Sequence, residues 1–310
     1  MKSAVLRKDE PSVKLTRLSA WVSAPLVCGV FGALLWWEYR HPLRRTVEAK
    51  PQRVARNLTV ATISALALQL VERPVTTRLT VMVVRRRWGL LQQWNLPTWG
   101  DVLLAVVLLD YTLYLWHVLT HRASWLWRFH VVHHLDLDLD ASTALRFHCG
   151  ELILSVAWRA AQVLLLGVAP RALSVWQTAL LLSILFHHSN TRLPIATERW
   201  LSRFLVTPRL HGIHHSIIRA ETDANWSSGL TLWDWVHGTL RTDVPQSTIT
   251  IGVPAYRDAD DVALTTILQL PFARQRPSWQ LASGERPTRV RHESVQKGDF
   301  KSPLRLSCCG

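Results

Sequence analysis

Apolar and charged residues are segregated along this chain. Ser19–Trp37 is a run of 19 residues without a charge, and Leu58–Val71 is another of 14. Val102–Trp116 is broken only by Asp110, Leu152–Ala169 only by Arg159, and Ala172–Phe186 is uncharged. A helix needs about 20 apolar residues to cross a bilayer, within a range of about 17–25, so the first and fourth runs suffice on length alone. The others need help from their flanks or are half-buried. Five such segments in a soluble protein would leave little polar surface to cover them. The pattern therefore predicts an all-α, multi-pass, integral-membrane helical bundle. Strand signals are few; Ser247–Gly252 has β character but is short.

Punctuation divides the chain further. Prolines at Pro97, Pro170, Pro194 and Pro208 separate helical stretches. We read an N-terminal membrane-anchoring region over 1–99, a histidine-rich unit over 100–240, and a C-terminal extension over 241–310 that turns polar and basic from Arg274 and is expected to be partly disordered. Met1–Arg17 is basic but leads into an apolar run too long for a signal-peptide core, which predicts a retained anchor. Gly150–Asn190 reads as two apolar helices joined at Gly167–Arg171. Such a hairpin returns the chain to the side it left, so the histidines before it and after it meet at one membrane face.

A hydrophobic content of 48% beside a net charge of +14 fits this segregation. Many of the 16 tryptophans sit near segment ends, where indole prefers the headgroup layer. Basic charge beside a membrane points to anionic membrane lipids, and with no nucleic-acid motif present, nucleic acid is not expected as a partner. Arg122, Arg128, Arg146, Arg192, Arg199, Arg203 and Arg209 crowd the histidine-bearing face, so the positive-inside rule puts that face and the C-terminus in the cytoplasm. Arg40–Arg56 and Arg73–Arg87 are both basic and have one crossing between them, which leaves the N-terminal topology open. Four cysteines, Cys28, Cys149, Cys308 and Cys309, imply no disulfide framework, and no lipidation motif fits the terminal pair.

Ten of the 14 histidines lie in four short clusters between residues 117 and 215. His117 and His121 are spaced i, i+4. His130, His133 and His134 are spaced i, i+3, i+4, and His211, His214 and His215 repeat that spacing. On helices these offsets put each set on one face, where imidazoles converge. Imidazole suits zinc, copper, iron and nickel, and one zinc takes about four ligands. Eight clustered histidines are twice that, and without an H-E-x-x-H motif a zinc protease is not indicated. Two metals held by imidazole at the water edge of a membrane fit oxygen activation on a lipid chain. Asp110, inside an apolar segment and two helical turns before His117, is a candidate for orienting a ligand histidine.

The stretch Asp110–Leu240 resembles the sterol desaturase and fatty acid hydroxylase superfamily, integral-membrane non-haem di-iron oxygenases. The likeness lies in HxxxH, HxxHH and HxxHH boxes in order, and in LWRFHVVHHLDLDLDASTALRFHCGE, FHHSNTRLP, LVTPRLHGIHHS, ETDANW and LWDWVHGT between and after them. It implies that His117, His121, His130, His133, His134, His211, His214 and His215 ligate iron, with His187 or His188 as a ninth. It places His148 nearby, with Arg146 and Glu151 as a candidate pair, and gives Asp223 and Asn225 supporting or structural roles. The chain departs from the family in Asn225-Trp226-Ser227, in His237-Gly238-Thr239 and at Cys149, which bears on the shape of a substrate pocket. His237, His41 and His292 are not expected to be ligands.

The implied activity is O2-dependent hydroxylation or desaturation at a C–H bond of a lipid, sterol, fatty acyl or related. It uses two iron ions and an external electron donor, since neither a ferredoxin-type cysteine cluster nor a dinucleotide fingerprint is present. A membrane carrier or sensor of zinc or copper is the rival reading, and it predicts histidines strung along a transmembrane path.

Overall fold

The computed structural model describes residues 20–281 and 283–288. His292, Cys308, Cys309 and most of the basic tail lie outside them. Helix α1 (Ala20–Arg40) is followed by α2 (Lys50–Ala67), a π-helical segment (Leu68–Glu72) and α3 (Arg73–Arg86). Leu68, Glu72 and Arg73 all keep right-handed helical dihedrals, so α2, the π segment and α3 form one continuous helix. It begins with Pro51 in its first turn, where a missing N–H costs nothing, and ends at Arg87 in a left-handed conformation. At 1.5 Å per residue it runs about 55 Å. Arg53 and Arg56 therefore stand at one end of it and Arg85–Arg87 at the other.

After the 3₁₀ turn Leu90–Gln93 come α4 (Thr98–Arg122), α5 (Ser124–His134), α6 (Cys149–Leu166) and α7 (Pro170–His188). Shorter helices follow: α8 (Ile195–Leu201), α9 (Pro208–His214), α10 (Arg219–Thr222), α11 (Leu232–Val236) and α12 (Leu264–Gln269). Isolated bridges occur, but the described residues contain no strand, so the protein is an all-α bundle. Among the described residues, four helices are long and apolar enough to cross a membrane: α1, the α2–α3 helix, α4 and α6. This is a membrane protein whose second and third apolar runs reach spanning length by extending into their polar flanks. The fifth, α7, is not among the four.

The expected hairpin forms. Its turn at Gly167–Ala169 packs against the 3₁₀ turn at the end remote from the histidines: Gln92 Nε2 donates to the Gly167 carbonyl at 2.7 Å. Gly89 (φ 85°) and Gly167 (φ 73°) are left-handed here, and a Cβ on Gly89 would lie 2.2 Å from the Gly167 nitrogen. The backbones meet because neither carries a side chain. Within the hairpin, α6 packs chiefly on α3 and α7 on α4. One apolar core, including Val83, Leu109, Val163, Leu173 and Trp176, fills this half. A second joins Val60, Val131, Val132 and Leu135 to Val253, Tyr256, Ile267 and Leu270. The chain beyond residue 240 thus folds back on the histidine unit. Inside the segment expected to be disordered, Trp279 stacks on Trp127 at 5.5 Å and Ser278 accepts from Trp127 Nε1. The β-like run contributes a 3₁₀ turn and a single bridge, Ser216 to Ile251.

A buried ion network ties the N-terminal helices to the loop after α5. Asp136 accepts from Arg53 Nη1 and Asn57 Nδ2, both at 2.9 Å, and faces Arg146 at 3.5 Å. Asp140 pairs with Arg53, Asp138 accepts from the Val47 and Glu48 amides, and Glu38 from the Ala141 amide. Burial by itself raises the Asp136 carboxyl, but Arg53 and Arg146 outweigh it and hold the group below its ordinary value. Removing one partner from such a network strands the others. Arg53→Ala is expected to cost about 3–5 kcal/mol, read as a lower midpoint of thermal unfolding of the detergent-solubilised protein; an unchanged midpoint would show that the network contributes nothing net.

Candidate metal centre

The histidine boxes meet at one end of the bundle. The last turns of α4, α5 and α7, and α9 with the residue after it, carry the histidines inward, and i, i+3, i+4 spacing on α5 and around α9 keeps each of those sets toward one side. They form two groups. His117, His121, His130, His134 and His214 make the first, and His133, His188, His211 and His215 the second; within each, one nitrogen from every ring lies within 4.8 Å of the others. The rings of His134 and His215 stack at 4.3 Å and join the two. Adjacent residues feed different groups: His133 and His134 diverge, as do His214 and His215.

Of the two candidates for a ninth histidine, His188 lies in the second group. His187 stacks behind His211, with ring centroids 4.1 Å apart, and belongs to neither group. His148 is also outside both: its Nδ1 accepts the Gly150 amide at the start of α6, and its Nε2 donates to the Leu268 carbonyl.

Four of the outer nitrogens are held by the protein, whereas Nδ1 of His133, His211 and His215 is buried without a hydrogen-bond partner. His117 Nδ1 donates to the Trp226 carbonyl at 2.6 Å, His214 Nδ1 to Ala224 at 2.8 Å, His188 Nδ1 to Ile184 at 2.9 Å and His130 Nδ1 to Glu151 Oε1 at 2.9 Å. Each bond fixes a tautomer and turns Nε2 and its lone pair inward. Nε2 of His130, His134 and His214, and both nitrogens of His121, are buried without a protein partner. In the second group the Nε2 atoms of His133, His188, His211 and His215 converge at 3.0–3.1 Å. Unpartnered lone pairs gathered this closely fit metal ions, which neutral imidazoles bind and apolar surroundings cannot replace. The residues present can hold two.

Electrostatics keep them receptive. Burial first, then neighbouring histidines, push His133, His134, His211 and His215 well below the ordinary histidine value, and burial takes His214 down to about 3. The rings stay neutral.

The supporting residues act through the backbone. Asp110 touches no histidine; it accepts from the Leu230 amide at 3.0 Å and Trp233 Nε1 at 2.8 Å, and a Cβ on Gly229 would collide with it. It anchors the loop that carries the Trp226 carbonyl, which satisfies His117 in its place. Asn225 lies between the two carbonyls that orient His214 and His117. It adopts φ 53°, donates to Leu210 and Arg241, and accepts the Arg241 amide at 2.7 Å. Arg146 and Glu151 do not pair: Arg146 turns to Asp136 and the Val132 carbonyl, leaving Glu151 for His130. Asp223 pairs at the surface with Arg122 and Arg219. Sequence reasoning missed Asp234, which is buried and accepts the Trp226 and Ser227 amides and the Thr239 hydroxyl. Its only signal was an acidic residue within the apolar LWDWV.

A helical membrane bundle with two converging imidazole groups defines a class, and comparison with known proteins narrows it. The fatty acid hydroxylase family model matches residues 102–239, which hold every box. The chain is 33% identical to ornithine lipid hydroxylase OlsE of Rhizobium tropici, over 59% of this chain and 53% of that protein. It is 29% identical to human cholesterol 25-hydroxylase (46% and 51%) and 30% identical to human alkylglycerol monooxygenase (48% and 32%). The chain thus spans about half or less of the length of these relatives. No solved structure matches it. Residues 102–239 carry a fatty acid hydroxylase domain, within the fatty acid hydroxylase and sterol desaturase superfamily.

Two outcomes follow. Loss of an outer-nitrogen support lowers metal affinity by about 10–100-fold, so Asn225→Ala should reduce the metal retained through dialysis against a chelator while leaving helical content intact. The second concerns pH. With folded-state histidine values depressed, the unfolded chain binds more protons below its ordinary value of about 6.5, so stability of the metal-free protein falls as pH drops through that value. A melting midpoint that is flat from neutral pH to well below that value would contradict the buried, neutral site.

Proposed function

We propose that this protein is a membrane-bound, O2-dependent di-iron oxygenase that hydroxylates a C–H bond of a lipid. The observation that carries it is the pair of adjacent histidine groups, five and four strong, buried at one end of a membrane bundle. Imidazole-only sets of this size suit redox-active iron and exceed what a single zinc ion takes. The names of the relatives, two hydroxylases and a monooxygenase, favour hydroxylation over desaturation.

The nine histidines would hold the metals, with His187 behind them. When bound, two irons supply activation of oxygen, so that one oxygen atom enters the lipid and the other leaves as water. The two electrons required come from a separate electron-transfer protein, and the two protons that complete the water come from solvent. The chain's own contribution is positional. The carbonyls at Ala224, Trp226 and Ile184 and the Glu151 carboxylate hold ring tautomers. Buried Leu126, Val131 and Val132 on α5 exclude water behind the site, which limits stray oxidation. The arginines around the histidine end support a cytoplasmic orientation of the site by the positive-inside rule.

Incubating purified, reduced, iron-loaded protein with total lipid extract under 18O2 tests this. The expected result is a lipid product heavier by one labelled oxygen, lost in His133→Ala. Full loading with zinc or copper, with neither iron preference nor oxygen consumption, would instead support a metal carrier.

A further inference from the structure

The bundle contains a second polar site, well away from the histidines. Glu72 closes the π-helical segment, Arg159 interrupts the apolar run of α6, and Gln177 lies midway along α7. Gln177 Nε2 donates to Glu72 Oε1 at 3.0 Å, and Arg159 Nε faces the same oxygen across 3.9 Å, beyond hydrogen-bond reach. The guanidinium lies 4.2 Å from the centroid of the Trp176 ring and donates through Nη1 to Gln162. Ionisable residues inside a membrane bundle are costly and mark functional sites by default, and π-helical insertions cluster at such sites.

Several features separate this cluster from a closed helix clamp. Arg159 Nε is buried without a hydrogen-bond partner. No hydrogen bond among the described residues reaches Glu72 Oε2. Gln177 is exposed, so one side of the cluster reaches the surface of the bundle while Glu72 and Arg159 lie behind it. The site therefore offers one unused donor beside one unused acceptor, with opposite charges that cancel. A group that both accepts and donates satisfies both; an anion would confront Glu72 and an ammonium would confront Arg159.

The two hairpin helices also point from this cluster to the metal centre. On α6, Glu151, Ser155 and Arg159 are spaced i, i+4, i+8 on one face, and Glu151 holds His130. On α7, Gln177, Leu181, Ile184 and His188 share a face in the same way. Eight residues on α6 and ten or eleven on α7 set the separation at about 12–16 Å.

We propose that Glu72, Arg159 and Gln177 form a lipid-facing notch for the hydroxyl group of an amphiphile whose hydrocarbon part lies along α6 and α7 toward the histidines. The proposal rests on the lipid-oxygenase reading for its purpose. It adds that the oxidised carbon is remote from the substrate's own polar group.

The test measures binding without turnover. The protein as purified, with no reductant supplied, is placed in nanodiscs and photolabelled with a diazirine-bearing dodecanol, and the label is displaced by dodecanol or by methoxydodecane, which accepts but cannot donate. Label is expected on α6 or α7, with the ether displacing it at least about tenfold less well than the alcohol, the worth of one buried hydrogen bond. The double variant Glu72→Leu, Arg159→Leu removes both charges together and should abolish that preference while the helical content is retained. Equal displacement by alcohol and ether in the wild-type protein would overturn the notch, as would an alcohol preference that survives in the double variant. If the preference is found but no lipid is oxidised, the notch stands and the oxygenase reading fails; an oxygenase with no preference is the converse.

Discussion

Burying a cluster of neutral imidazoles with their lone pairs aimed at one another is the constraint on which the rest of this structure depends. An unsatisfied buried polar atom costs about 1–3 kcal/mol, and this site concentrates several in adjacent groups. Nothing apolar recovers that energy, so the arrangement makes physical sense around cations. It also sets the demands on the scaffold. Rings must be oriented, water must be kept away, and four helices from distant parts of the chain must end at one place.

The scaffold meets these demands mostly with backbone. Carbonyls of Ala224 and Trp226 flank Asn225, whose left-handed conformation turns both toward the histidines, and Asp234 secures the same segment by accepting its amides. Asp110 reaches across from α4 to fix the next stretch of that loop. On the opposite side the Asp136–Arg53 network clamps the N-terminal helix to the loop that leaves α5. The ends of α4, α5, α7 and α9 are thereby held in register, while the glycine contact at Gly89 and Gly167 pins the far end of the hairpin.

Much of this was legible in the sequence, for identifiable reasons. Charge segregation locates the apolar helices, and i, i+3, i+4 spacing locates inward faces; both are local properties. The hairpin follows from two apolar runs around Gly167 and Pro170, and it returns the chain to the end where the other boxes lie. What was not legible depends on which backbone group arrives beside which ring. Asp110 reads as a partner for His117 from helical spacing, yet a carbonyl from residue 226 occupies that place. Likewise, Arg146 and Glu151 are five residues apart and suggest a pair, but each finds a stronger partner from another element. His187 and His188 are indistinguishable by composition, and only the rotation of α7 separates them. The helix through residues 50–86 runs unbroken past Pro74, because the π segment before it absorbs the lost hydrogen bond.

The central claim is that these histidines hold two metal ions, one in each group, and that the ions are iron. Anomalous X-ray scattering from crystals of the protein purified with its native metal, collected on both sides of the iron edge, tests it most directly. The account predicts two peaks specific to iron, one among His117, His121, His130, His134 and His214 and the other among His133, His188, His211 and His215. A single peak, or peaks that persist unchanged below the iron edge, would contradict it.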